Sequence, residues 1–108
     1  MTVNELAKKA GFFALNIAEP ERRIEGVYIG DLLSWVMGRA KENDAWITIM
    51  SNINTAAVAA LADVSCMILA EGVNLEDDVL KVVKEKRINV ILSNLPTYET
   101  AVELSKML

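Results

Sequence analysis

WITIMSNINTAAVAAL, residues 46–61, decides the fold: an apolar run from Trp46 to Met50 enters a polar loop, Ser51-Asn52-Ile53-Asn54-Thr55, and leaves it as an Ala-rich helical stretch from Thr55 to Leu61. The same rhythm recurs on either side. Val27-Tyr28-Ile29 runs into Gly30-Asp31, Met67 to Ala70 into Glu71-Gly72, and Val90 to Leu92 into Ser93-Asn94-Leu95-Pro96-Thr97. Parallel strands need a crossover between them, and that crossover is usually a helix, so the alternation predicts a largely parallel sheet. The expected architecture is a three-layer α/β domain over residues 1–108, with about five strands and helices on both faces.

Local signals fill in the rest. Thr2 and Glu5 stand at capping-box spacing at the start of a first helix whose apolar side is Val3, Leu6, Ala7 and Ala10, with Gly11 to end it. Phe12 to Ile17 reads as a first strand, and the charged connector around Pro20 is kept out of a sheet interior. A helix from Asp31 to about Lys41 turns Leu33, Val36, Met37 and Ala40 to one side, while Leu32 and Trp35 extend the apolar surface to a second. Ser65 to Ala70 is almost wholly apolar, as for an inner strand covered on both faces. Asn74, Glu76, Asp77 and Asp78 open a further helix that closes on Lys84, Lys86 and Arg87, in keeping with its dipole. Its inward residues are Leu75, Val79, Leu80 and Val83. The last strand is Asn89 to Leu92, and the last helix runs from about Pro96 to Met107.

Composition narrows the function. Apolar residues make up 53% of the 108 and the 5 glycines lift that to roughly 58%, on a count where ordinary domains sit near 45–50%. Burying such a surplus in a small domain is easier with a subunit interface, so a homodimer is expected, with Leu32 and Trp35 as interface residues. The charge is −4, from 11 Lys+Arg against 15 Asp+Glu, with no basic run. That disfavours nucleic acid. There is no histidine and one cysteine, so no metal site, cofactor or disulfide is expected. Cys66, inside an apolar run, reads as a small buried hydrophobe. No continuous apolar run approaches membrane-spanning length, and a soluble, cytoplasmic protein is the expectation.

The candidate ligand site is the edge where the polar loops follow the strands, because open sheets bind ligands outside their carboxyl ends, beside helix N-termini. Its candidates are Gly30, Asp31, Ser51, Asn52, Asn54, Thr55, Glu71, Gly72, Thr97, Tyr98 and Thr100. Asp31 would face the cleft or cap its helix. The Ser51–Thr55 cluster would bond a phosphate or carboxylate, or cap and turn the chain. Glu71-Gly72 fits a plain turn equally well. Tyr98 would stack on a ring, or pack over the start of its own helix.

From Val27 onward the order of motifs resembles the DRTGG domain, through Tyr28-Ile29-Gly30-Asp31-Leu32-Leu33-Ser34, Asn54-Thr55-Ala56-Ala57-Val58-Ala59 and Thr97-Tyr98-Glu99-Thr100-Ala101. The resemblance covers about three quarters of the chain, although the literal Asp-Arg-Thr-Gly-Gly string is absent. It implies a fold similar to the N-terminal domain of HPr kinase/phosphorylase and the first domain of Mur ligases. It also implies a regulatory, nucleotide-linked or dimer-forming role, as where such domains lie between CBS domains of some pyrophosphatases. Kinase activity is not expected, for the chain lacks a phosphate-wrapping G-x-x-x-x-G-K-[ST] loop. The function expected is a non-catalytic, self-associating regulatory module that binds a small anionic metabolite or nucleotide. The alternative is a pure interaction module docking an apolar helix face on a partner enzyme.

Overall fold

A computed structural model describes residues 1–108. Along the chain lie α1 (Val3–Ala7), β1 (Phe12–Asn16), β2 (Gly26–Ile29), α2 (Leu33–Arg39), β3 (Asp44–Thr48), α3 (Ile53–Ala62), β4 (Cys66–Leu69), α4 (Asp77–Glu85), β5 (Val90–Ser93) and α5 (Thr97–Ser105). The five strands form one sheet in the order β1-β5-β4-β3-β2. All neighbours are parallel except β1, which runs antiparallel to β5.

Two apolar cores flank the sheet, and the two-residue period of a strand sorts side chains between them. Trp46, Met67, Leu69 and Val90 point to one side, where Val36 of α2, Ala56, Val58 and Ala59 of α3, and Val83 of α4 meet them. Ala45, Ile47, Cys66, Ile68 and Ile91 point to the other, against Val3 and Leu6 of α1 and Leu104 of α5. Every residue of β3 and β4 is buried. Three successive crossovers thus place α2, α3 and α4 on one face, and α5, which follows β5, crosses to the other.

The first helix keeps its capping box, with Glu5 N–H donating to Thr2 Oγ1 at 3.2 Å and Thr2 N–H to Glu5 Oε1 at 3.1 Å. Other boundaries moved. The third strand is Asp44–Thr48, two residues earlier than Trp46–Met50, because Asp31 takes the N–H of Ile49 away from the ladder. At its start, the Asp44 carboxylate is buried and accepts the Lys41 N–H at 2.8 Å. Asp31 caps nothing: α2 begins two residues later with Leu32 at its N-cap and no side-chain cap bond. Leu33, Val36 and Ala40 face the core as expected, but Met37 is exposed, lying on the side of this short helix that no element covers. The helix α3 starts at Ile53 rather than Thr55, because Asn52 is its cap and Thr55 the third residue of a capping box. Asn74 stays outside α4, whose N-cap is Glu76.

Sequence reasoning missed how the chain crosses from β1 to β2, which lie at opposite edges of the sheet. The connector runs beneath the amino ends of the intervening strands and bonds to each in turn. Asn89, just before β5, accepts N–H groups of Ala18 and Glu19 at 2.9 and 2.8 Å and donates to the carbonyls of Glu19 and Ser65, both at 2.9 Å. Ser65, just before β4, donates to the Arg23 carbonyl. Arg22 donates to Asn43 Oδ1 at 3.1 Å and to Asp63 Oδ1 at 2.8 Å, and Glu25 N–H reaches the Asn43 carbonyl at 2.9 Å.

Candidate functional site

The loops after β2, β3, β4 and β5 gather at the carboxyl edge of the parallel strands. At this edge β4 and β5 are neighbours whose following helices leave to opposite faces, the arrangement at which open sheets form a binding crevice.

After β2, Gly30 is fixed by its own neighbours. A Cβ there would lie 2.9 Å from Cε2 of Tyr28, and its carbonyl accepts the Trp46 indole N–H at 2.9 Å. The close approach that glycine allows is therefore to the Tyr28 ring. Asp31 Oδ1 accepts Thr48 Oγ1–H at 2.8 Å and Ile49 N–H at 3.0 Å, which staples this loop to the end of β3.

After β3, Asn52 Oδ1 accepts the N–H of Thr55 at 3.0 Å, while Thr55 Oγ1 accepts the N–H of Asn52 at 3.2 Å. Thr55 is fully buried within that box. Ser51, Asn52 and Asn54 line a shallow cleft, and across it stand Glu76 and Asp78 at the opening of α4. These two acids are the members of the edge that sequence reasoning assigned only to helix-end electrostatics. Their excess at a helix start was visible, but the cleft they share with Asn54 was not.

Between β4 and β5 the crevice is bridged by the chain itself. Glu71 and Gly72 are both left-handed, at φ 62° and 72°. Their N–H groups donate to the carbonyls of Leu95 and Ser93 at 2.9 and 3.1 Å. The Glu71 carboxylate accepts Thr97 N–H at 2.7 Å and Thr97 Oγ1–H at 3.2 Å, so it caps α5, where Pro96 at the N-cap offers no side-chain acceptor. Thr100 is turned inward: its hydroxyl is 2.8 Å from that of Ser93. Tyr98 does not pack over the helix start but stands exposed on the outer side of α5, beside Leu95 and Val102.

The candidates therefore form three small groups and not one constellation: Asp31 with Thr48, Ser51 to Asn54 with Glu76 and Asp78, and Glu71 with Thr97. Every charged side chain in these loops is acidic, with no Lys or Arg among residues 30–32, 49–55, 70–78 and 94–100. A phosphate here would rest on backbone N–H groups, while the carboxylates suit hydroxyl or amino donors of a ligand. Of the three helices of eight residues or more that start at this edge, α3 alone has no acid in its first turn.

The sequence profile of the DRTGG domain matches residues 7–107. Among solved structures, the CBS and DRTGG domains of the regulatory region of Clostridium perfringens pyrophosphatase, complexed with the activator diadenosine tetraphosphate, share the fold with a TM-score of 0.69. Identity is 16%, over 93% of this chain and 44% of that one. The chain thus spans less than half the length of that regulatory region. No curated protein matches it.

Proposed function

Because the chain belongs to the DRTGG domain family, we propose that it is a non-catalytic regulatory module that self-associates and binds a nucleotide or small anionic metabolite at the carboxyl edge of its sheet. The observation that carries the proposal is the cleft at the carboxyl edge between the Ser51–Asn54 turn and the Glu76 and Asp78 side chains at the opening of α4, in the region where this architecture takes ligands. The pyrophosphatase regulatory region with its dinucleotide activator supports the choice of ligand class. With only acids in the loops, the phosphates are assigned to the Ser51–Asn54 turn at the start of α3, and the sugar or base to the side lined by Glu76 and Asp78.

A thermal-shift panel of diadenosine tetraphosphate, adenine and uridine nucleotides, acyl phosphates and dicarboxylates tests this. A ligand at a hundredfold excess over its Kd stabilises the fold by about 2.7 kcal/mol, and each kcal/mol is worth roughly 4–8 °C in a domain near this size. The Asn54→Ala variant is expected to lose most of that shift while its own melting temperature stays within a few degrees of wild type. A stabiliser unaffected by Asn54→Ala and Thr97→Ala would place the site away from this edge.

A second reading, docking on a partner enzyme, is favoured by α2, which leaves Leu32 and Trp35 exposed on one side and Met37 on another. A panel without any stabiliser would favour it.

A further inference from the structure

Resting on the self-association proposed above, we infer that a second copy of this chain pairs with the free edge of β2, antiparallel about a two-fold axis, to make one continuous sheet. Strand β2 is hydrogen-bonded to β3 alone, so the backbone groups along its other side face no strand. Proteins usually protect such an edge with charges, proline or a bulge. Gly26-Val27-Tyr28-Ile29 carries none of these. The opposite edge, β1, has its register broken between Ala14 and Asn16. The two edges are therefore treated differently.

Both flanks of β2 are apolar and open. On the α1/α5 face Val27 and Ile29 remain 38% and 48% exposed; on the α2 face Leu32 and Trp35 are 58% and 52% exposed. Trp35 is on the strand side of its helix, since Arg39, whose guanidinium lies 3.7 Å over the Trp35 ring, lines a cleft with Val27 and Tyr28. A specific interface needs roughly 1,000 Å² in total, about 500 Å² from each copy, which is less than a tenth of the 5632 Å² surface of the chain. Half-exposed side chains of this size on either side of a four-residue strand offer area of that order.

An antiparallel two-fold is the arrangement these features fit. Residues directly opposite share a face, so Val27 of one copy meets Ile29 of the other, apolar against apolar. The Trp35 flank of α2 meets its own counterpart. Parallel pairing through the same edge would turn one copy over, so that the two Trp35 flanks would lie on opposite faces of the sheet.

The experiment is light scattering across the micromolar range on the full chain, with Val27→Lys, Ile29→Lys, Trp35→Asp and the control Leu61→Lys on exposed α3, each checked by circular dichroism for a wild-type fold. Wild type should weigh twice the 11.9 kDa of one chain. Each β2 variant should weaken the dimer at least tenfold, and Leu61→Lys should leave it unchanged. Amides of β2 should exchange more slowly as protein concentration rises. A dimer that survives both β2 lysines, or is lost only in Trp35→Asp without concentration-dependent protection of β2, would overturn strand pairing and leave self-association standing. A wild-type monomer throughout would overturn both.

Discussion

Replacing Asn89 with alanine should cost more than any substitution at the carboxyl edge. The Asn89 side chain is 3% exposed and makes four hydrogen bonds of 2.8–2.9 Å, two as acceptor and two as donor. They hold the connector of β1 and β2 beneath the sheet, assisted by Arg87, which donates to the Ala18 carbonyl at 2.9 Å. Each bond contributes about 0.5–1.5 kcal/mol net, and a buried partner left unpaired costs about 1–3 kcal/mol. The Ser65 carbonyl belongs to a residue that is 1% exposed, while Glu19 lies at the surface where water can replace the amide. With three bonds counted at the first figure and the buried Ser65 carbonyl at the second, the cost is about 2.5–7.5 kcal/mol, a large share of the 5–15 kcal/mol typical of a domain. Urea unfolding followed by tryptophan fluorescence should show the midpoint falling with little change in slope. Asn54→Ala, at an exposed site, serves as the control and should change stability by roughly 0.5 kcal/mol or less. A loss below about 1 kcal/mol for Asn89→Ala would refute the reasoning, since it would mean that water satisfies the connector as well as the amide does.

Two further outcomes follow from burial and capping. Burial pushes the Cys66 thiol up to about 12, so a thiol reagent at pH 8 should react only as fast as the protein unfolds; rapid labelling of the native state would contradict its place in β4. The backbone N–H and then the hydroxyl of Thr2 hold the Glu5 carboxyl below its ordinary value. A lowered folded-state pKa contributes stability above the unfolded value that is lost as pH falls through the folded one. Glu5→Gln should therefore destabilise the protein at neutral pH and make it less sensitive to acid, and parallel pH–stability curves for the two proteins would exclude this role for Glu5.

The strand-and-helix alternation, the two buried central strands and the Thr2–Glu5 cap were legible in the amino-acid sequence, because each depends on residues a few positions apart. Apolar runs such as Cys66 to Leu69 have no polar side to present to water, and that alone places them inside. Of the candidate site, the sequence determined which loops follow the strands. It could not distinguish a ligand-facing group from one that serves its own chain: Thr55 and Thr100 are turned inward, Asp31 holds β3, and Glu71 caps α5 across the crevice. Strand order, the antiparallel β1 at the far edge, the free edge of β2 and the bridging by Asn89 were decided by tertiary structure. They depend on partners as much as 81 residues apart, as Phe12 is from Ser93, and a hydrogen bond between such groups depends on where the rest of the chain has put them, which no local spacing of residues encodes.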